Sequence, residues 1–166
     1  MDIQNSYRKI IEIMKNILEE IAARTRERIA KEKTCISVSE LENRIQEVNK
    51  NARQKITFLQ ALQKDGMSYI CEVKKASPSK GLIAPDFPYL AIAKEYEQAG
   101  ASAISCLTEP FYFQGADQYL REISAAVQIP VLRKDFTVDE YMIYQAKSLG
   151  ASAVLLICAI LDDGEL

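Results

Sequence analysis

The chain divides at Ile70-Cys71-Glu72-Val73-Lys74-Lys75-Ala76-Ser77-Pro78-Ser79-Lys80-Gly81. Before this stretch the sequence is charged and has helical periodicity, whereas after it short apolar runs alternate with helical patterns. We predict a strand from Ser68 to Lys74, which must end near Ser77 because Pro78 cannot continue a hydrogen-bonded ladder and restricts the residue before it. The alternation that follows predicts an α/β fold, in which crossover helices join the strands of a parallel sheet.

Two charged side chains lie on one face of that predicted strand. Glu72 and Lys74 are two residues apart, so they point to the same side. A carboxylate and an ammonium are costly in an apolar core but suit an active site, which α/β barrels build at the carboxyl ends of their strands. Lys134 ends a later predicted strand and would bring a second ammonium to the same rim. Spacing alone leaves open a simple ion pair between Glu72 and one of the lysines.

The composition excludes several classes of function. The 166 residues include 21 basic and 23 acidic side chains, a formal net charge of −2, which gives no reason to expect a nucleic acid partner. Histidine is absent, which removes the commonest zinc ligand and general base. No metal site is therefore predicted, and any chemistry must depend on Lys, Glu, Asp or Cys.

The cysteines and the apolar runs predict a cytoplasmic location. The four cysteines form no C-x-x-C pair and are typical of buried reduced thiols. The first residues lack the basic and then apolar pattern of a signal peptide. The longest apolar run, Ala153–Leu161, is far shorter than the ~20 residues that a membrane span requires. We therefore expect a soluble chain with no membrane partner.

The first part of the chain predicts helices. Apolar residues recur every three or four positions at Ile3, Tyr7, Ile10, Met14, Ile17 and Ile21. This seam favours docking on the same molecule over a coiled coil, because it spans only three heptads and then reaches charged residues. Ser37 and Glu40 have capping-box spacing before a second helix. A short third helix at 57–62 is expected to place Phe58, Leu59 and Leu62 on one side.

The second part predicts four strands with helices between them. The strands are expected at 68–74, 103–107, 131–134 and 153–157. Asp86 is expected to cap the first of the helices, and later helices are expected at 117–127 and 139–149. A fourth helix would begin where the sequence stops.

Four blocks of the sequence resemble, in order, the strands and loops of one enzyme family, indole-3-glycerol-phosphate synthase. The blocks are Glu72–Gly81, Leu107–Glu109 with Phe113–Gly115, Pro130–Phe136 and Gly150–Ile157. The fold of this family is a (β/α)8 TIM barrel, which typically needs about 250 residues. The resemblance therefore implies an N-terminal helical extension at 1–66 and the first half of the barrel at 67–166, truncated after strand four.

The resemblance implies a carbon–carbon lyase of tryptophan biosynthesis that uses neither a metal nor an organic cofactor. Its substrate, the sugar phosphate 1-(2-carboxyphenylamino)-1-deoxyribulose 5-phosphate, is converted to indole-3-glycerol phosphate with release of carbon dioxide and water. Lys134 matches the lysine that acts as general acid on the substrate carbonyl. Lys74 matches the lysine that holds the anionic substrate and takes part in proton transfer, and Glu72 matches the carboxylate that positions these groups.

Three further positions match substrate-binding residues of the family. Ser77 and Phe113 match residues of the loops after the first two strands, and Phe136 matches the residue that packs against the aromatic ring. In the family, a second catalytic glutamate and the phosphate site come from strands five to eight, which have no counterpart in this sequence. The chain alone is therefore expected to be inactive, and its exposed strand edges are expected to promote self-association.

Two alternatives to this interpretation stay open. The half-barrel could be an assembly module that pairs with a copy of itself and has no catalytic role. The chain could also belong to another sugar-phosphate barrel enzyme, but the block from Glu72 to Ser77 argues against that family assignment.

Overall fold

The computed structural model describes residues 3–51 and 55–166, with side chains at 17–50 and 55–166. The helices in this part of the chain are α1 (Ile3–Cys35), α2 (Val38–Asn51), α3 (Phe58–Leu62), α4 (Tyr89–Gln98), α5 (Asp117–Ala126) and α6 (Tyr141–Ser148). The strands are β1 (Ile70–Val73), β2 (Ala76–Ser77), β3 (Gly81–Leu82), β4 (Ala103–Leu107), β5 (Val131–Lys134) and β6 (Ala153–Val154). No helix described here combines the length and the apolar character that a membrane crossing needs.

One parallel sheet has the strand order β1-β4-β5-β6. Helices α4, α5 and α6 are the successive crossovers between its strands. This arrangement confirms the predicted α/β fold and is that of the first half of a (β/α)8 barrel. The observed bounds of β4 and β5 are also those predicted.

The two faces of the sheet differ in chemical character. The face that packs on the helices carries the buried apolar side chains Val73, Ile104, Cys106 and Val131. Burial of a Val or Ile side chain stabilises a fold by about 1.5–3 kcal/mol. Residues opposite one another in a parallel ladder point to the same side. Glu72 is opposite Ser105, and Lys134 is opposite Leu107. These four residues therefore share the other face, which lies inside a barrel.

Helix α1 packs on the same molecule over its second half. Ala22 and Ile29 are buried in a cluster with Tyr141 and Met142 of α6. Within the described side chains, α1 therefore docks on its own chain, as the apolar seam favoured. Four residues of that seam lie outside the described side chains: Ile3, Tyr7, Ile10 and Met14.

In α3 an apolar side chain is exposed, and in α4 the predicted cap was wrong. Leu59 is 63% exposed, and Ala61 is the buried residue of α3. A helix of five residues is too short for periodicity to fix its face, and here a capping box between Thr57 and Gln60 orients it. Asp86 does not cap α4, because the N-cap position is taken by Pro88, which makes no side-chain hydrogen bond there.

Two features of the strands also differ from the prediction. β6 ends at Val154 instead of residue 157, and its described pairing with β5 stops at Arg133 and Val154. The segment after β1 was expected to be a loop, but it folds back as a short antiparallel hairpin in which Ser77 pairs with Gly81. Gly81 has a φ of +63°, a backbone conformation that favours glycine.

Candidate active site

Three charged side chains meet at the carboxyl ends of β1 and β5. The ammonium of Lys74 lies 2.6 Å from Oε1 of Glu72, and the ammonium of Lys134 lies 3.9 Å from Oε2 of the same carboxylate. The three side chains are 31–33% exposed. Ion pairs this accessible contribute only about 0–1 kcal/mol to folding, so the fold does not depend on them. The arrangement leaves two ammonium groups at one rim, where an anion from solvent can reach them.

Two aromatic rings border this charged cluster. The ammonium of Lys134 lies 5.9 Å from the centroid of the Phe113 ring. The centroids of Phe113 and Phe136 are 6.4 Å apart, with the rings tilted by 39°. Phe136 is 7% exposed, whereas Phe113 is half-buried. The rim therefore combines positive charge with an apolar wall, which suits a ligand that is both aromatic and anionic.

Ser77 is the one predicted site residue that lies apart from this cluster. Its hydroxyl, in β2, accepts a hydrogen bond from the backbone N–H of Lys80 at 3.2 Å. Among the contacts of the described residues, its side chain makes none with the three charged groups. The structure thus brings together five of the six residues that the sequence suggested and places Ser77 in the hairpin beside them.

A buried carboxylate at the end of β4 was missed by the reasoning from sequence. Glu109 is 1% exposed, and its two oxygens accept backbone hydrogen bonds from Phe111 at 2.9 Å, Tyr112 at 2.7 Å and Phe113 at 3.0 Å. Glu109 lies two residues after the last residue of the buried strand β4 and four residues before Phe113. That position was a usable signal, because acidic side chains near strand ends commonly organise the loops that follow.

A second missed carboxylate, Asp135, lies next to the site lysine and is completely buried. It accepts hydrogen bonds from the hydroxyl of Thr108 at 2.7 Å and from the backbone N–H of Phe136 at 2.8 Å. Arg28 of α1 and Arg133 of β5 are its ion-pair partners, at 3.0 and 3.4 Å. The available signal was Arg133 itself, since strand alternation puts that charge on the helix side of the sheet, where it needs a buried partner.

The pKa values of two groups behind the rim are shifted, one by an ion pair and one by burial. At Arg28 burial is the largest influence and acts to lower the pKa, but the charge and hydrogen bonds of Asp135 outweigh it, so the pKa lies above its ordinary value. Burial raises the pKa of the Cys106 thiol to about 12. Arg28 is therefore held as a cation, and Cys106 is held as a neutral thiol.

The charged cluster lies outside two cavities at the surface of the described residues. One cavity, of about 570 Å³, lies beside α2 and the ends of α5 and α6, and the other, of about 420 Å³, lies between α1 and residues 137–165. Neither includes the site residues, which occupy an open rim. We assign the site from its chemistry, because cavity size measures shape and not the presence of reactive groups. Within the described chain, no group of three or more His, Cys, Asp or Glu side chains is placed to hold a metal ion.

Comparison with known proteins identifies the family. A sequence model of the family described as "Indole-3-glycerol phosphate synthase" matches residues 18–166. The curated indole-3-glycerol phosphate synthase of Lacticaseibacillus paracasei is 53% identical over 150 residues, which are 90% of this chain and 57% of that protein. Its counterpart from Ruminiclostridium cellulolyticum is 52% identical over 147 residues, 88% of this chain and 55% of that protein. The chain thus spans a little over half the length of these relatives, and it belongs to the indole-3-glycerol phosphate synthase family.

Proposed function

We propose that this chain supplies the first part of an indole-3-glycerol phosphate synthase active site. The reaction would be the closure of the indole ring of 1-(2-carboxyphenylamino)-1-deoxyribulose 5-phosphate, with loss of carbon dioxide and water. The observation that carries this proposal is the Glu72 carboxylate between the ammonium groups of Lys74 and Lys134 at one rim. The substrate class is inferred from the family to which the chain belongs.

Lys134 is the proposed general acid. Ring closure joins the aromatic carbon that bears the carboxylate to the ketone carbon of the sugar, and the ketone oxygen gains negative charge as that bond forms. An ammonium within hydrogen-bond reach donates a proton to this oxygen. The carboxylate then leaves as carbon dioxide, and its bonding electrons restore the aromatic ring. The new hydroxyl is protonated and leaves as water, and the neighbouring methylene carbon loses a proton to a base, which completes the double bond of the indole ring.

Lys74 and Glu72 are proposed to bind and to orient. The ammonium of Lys74 would hold the substrate carboxylate by a charge-assisted hydrogen bond and take part in proton transfer. Glu72, through its contacts at 2.6 and 3.9 Å, would keep the two ammonium groups directed towards one substrate. This division of roles accounts for a single carboxylate that serves two cations.

The aromatic residues are proposed to bind the anthranilate ring of the substrate. Phe113 and Phe136 form a tilted pair next to Lys134, so a flat ring packed on them would lie beside the proton donor. For Ser77 the support is its position in the hairpin that follows β1. Its hydroxyl would bind the substrate only if that hairpin bends over the rim.

Family membership also suggests how the chain is divided and how it works as a whole. We infer that residues 1–66 are a helical extension and residues 67–166 a half-barrel. The catalytic glutamate and phosphate site of later family strands have no counterpart here, so the chain alone should turn over little substrate. We propose a cytoplasmic location, which is consistent with cysteines that are all free thiols, and we expect self-association through the open strand edges.

Complementation tests this function. The chain would be assayed alone and mixed with the part of the Ruminiclostridium cellulolyticum relative that it does not match. We expect indole-3-glycerol phosphate from the mixture only, no product when the chain carries Lys134→Ala, and unchanged turnover with Lys94→Ala, which removes an exposed lysine of α4. Turnover by the chain alone, turnover with Lys134→Ala, or no turnover by a mixture that forms a complex on sizing would each contradict the proposal.

A further inference from the structure

The loop that follows β4 is folded around one carboxylate. The two carboxylate oxygens of Glu109 accept hydrogen bonds from three successive backbone N–H groups, at 2.7 to 3.0 Å. Residues 110–116 nevertheless belong to no helix or strand. It has no ion-pair partner among the described residues, so these amides are what compensates its burial. A buried carboxylate that depends on three amides holds all three of them in one arrangement.

The other end of the same loop is fixed by backbone contacts. The N–H of Gly115 donates to the backbone carbonyl of Glu109 at 2.8 Å and closes the loop. Gly115 packs so tightly on the end of β4 that a Cβ there would lie 2.5 Å from the carbonyl oxygen of Leu107. Gln114, between these contacts, has a φ of +51°, a conformation that side chains rarely adopt. The backbone on both sides of Phe113 is therefore determined.

This fixed backbone directs the Phe113 ring towards the site lysine. The ring lies 5.9 Å from the ammonium of Lys134 and 6.4 Å from the ring of Phe136. Lys134 itself is held independently, because its backbone carbonyl accepts from Thr108 N at 3.0 Å across the β4–β5 ladder. Loss of Glu109 should thus displace the aromatic ring but leave the lysine backbone in place.

We infer that Glu109 is a positioning residue that acts through Phe113 to build the aromatic wall beside Lys134. The catalytic consequence rests on the proposed function, whereas the geometric claim does not. Glu109 touches no reacting group, so it should affect substrate binding and not the proton transfer.

The chain offers a matched control on the same loop. Helix α1 also contacts this loop, through a hydrogen bond from the Tyr112 hydroxyl to Glu20 and through Arg24, which lies 5.0 Å from the ring of Phe111. These contacts hold the side chains of residues 111 and 112 and not the backbone of Phe113. Glu20→Gln therefore removes a carboxylate charge that contacts the same loop but leaves the acceptor of the Phe113 amide in place.

Nuclear magnetic resonance of the chain tests the geometry without any need for activity. The amides of Tyr112 and Phe113 should be protected from hydrogen exchange although they lie outside helices and strands. The side-chain methylene next to the Lys134 ammonium should be shifted upfield by the ring, and this shift should be lost in Glu109→Gln and in Phe113→Leu but kept in Glu20→Gln. Unprotected amides, or an upfield shift that persists in Glu109→Gln, would overturn the inference even if one variant failed to fold.

Kinetics of the complemented enzyme test the catalytic consequence. We expect Glu109→Gln and Phe113→Leu each to raise KM roughly tenfold, equivalent to about 1.4 kcal/mol, with kcat nearly unchanged. The double variant should be no worse than the poorer single one, because both changes remove the same placement of the ring. The inference would be contradicted if the KM effects of the two changes multiplied in the double variant, or if only kcat fell. It would also be contradicted if Glu20→Gln raised KM as much as Glu109→Gln does. If the parent mixture is inactive, the proposed function fails, and the geometric claim is decided by the resonance measurements.

Discussion

The guanidinium of Arg28 donates to both carboxylate oxygens of Asp135, at 3.1 and 3.0 Å, across 107 positions of sequence. The Asp135 side chain is 0% exposed, and that of Arg28 is 12% exposed. Asp135 follows Lys134 directly and accepts the backbone N–H of Phe136. This one ion pair thus joins α1 to the segment that carries the proposed general acid and part of the aromatic wall.

Arg28→Ala should destabilise the chain strongly. Removal of Arg28 takes the nearer of two cationic partners from a buried carboxylate and leaves only Arg133, at 3.4 Å. Loss of a partner from a buried ion pair typically costs about 3–5 kcal/mol, and because Arg133 remains we expect the lower end of that range. Lys33→Ala is the matched control, because Lys33 lies on α1 like Arg28 and also pairs with an aspartate, Asp139. The side chains of this second pair are 43% and 29% exposed, so it should contribute only about 0.2–1 kcal/mol. Urea unfolding followed by circular dichroism measures both, and equal midpoints for the two variants would show that the Arg28 pair is not a buried anchor.

Gly115→Ala should be destabilising even though alanine is the smallest replacement. Its Cβ would meet the backbone carbonyl of Leu107, which cannot move without disturbing β4. Such overpacking typically costs about 1–3 kcal/mol. Gly164→Ala is the control, since the nearest atom to its Cβ is 3.3 Å away on the side chain of Asp162. A thermal midpoint for Gly115→Ala as high as that of Gly164→Ala would mean that the loop adopts a different path.

The Cys106 thiol should resist alkylation at neutral and mildly basic pH. Burial raises its pKa to about 12, and the thiolate is the reactive form. Cys35 and Cys158 are exposed and serve as internal controls in the same sample. Mass spectrometry after treatment with iodoacetamide at pH 8 should find both modified while Cys106 is not, and rapid loss of the Cys106 thiol would indicate that the core between the sheet and α5 opens.

A surface contact between α4 and α5 should give a small pH dependence. The Tyr89 hydroxyl donates to Glu122 at 2.6 Å, and this hydrogen bond, followed by that from Gln118, lowers the pKa of Glu122. Because the folded pKa lies below the unfolded one, the stabilisation is present above the unfolded pKa and is lost as the pH falls through the folded value. Tyr89→Phe should raise the pKa of Glu122 in a resonance titration; an unchanged value would assign the shift elsewhere.

Local chemistry in the sequence predicted most of the sheet and the centre of the site. Alternation predicted that Glu72 and Lys74 point to one side; Glu72 lies in β1 and Lys74 directly follows it. The register of β4 with β5 brings Lys134 to the same rim. The period of a strand or helix shows which side chains share a face, and a few neighbouring residues are enough to recognise it. The bounds of β4 and β5 followed from apolar runs between turn residues.

What the sequence did not predict depends on contacts between distant segments. Nothing local to Arg28 shows that it reaches Asp135, because it stands among other charged residues of α1 and its partner is set by the docking of that helix. Glu109 looks like an ordinary loop acid until its loop is folded around it. Leu59 is exposed because α3 has only five residues, and its capping box, not its apolar pattern, determines which side faces the core.

Replacement of Lys134 by arginine tests the central claim most directly. Lys134→Arg keeps a positive charge beside Glu72 and Phe113, but a guanidinium is too weak an acid to donate its proton. The complemented enzyme should therefore lose about 10²–10⁴-fold in kcat, the typical contribution of general acid catalysis, with KM changed little. A kcat close to that of the parent would contradict the account, because it would show that Lys134 contributes only its charge.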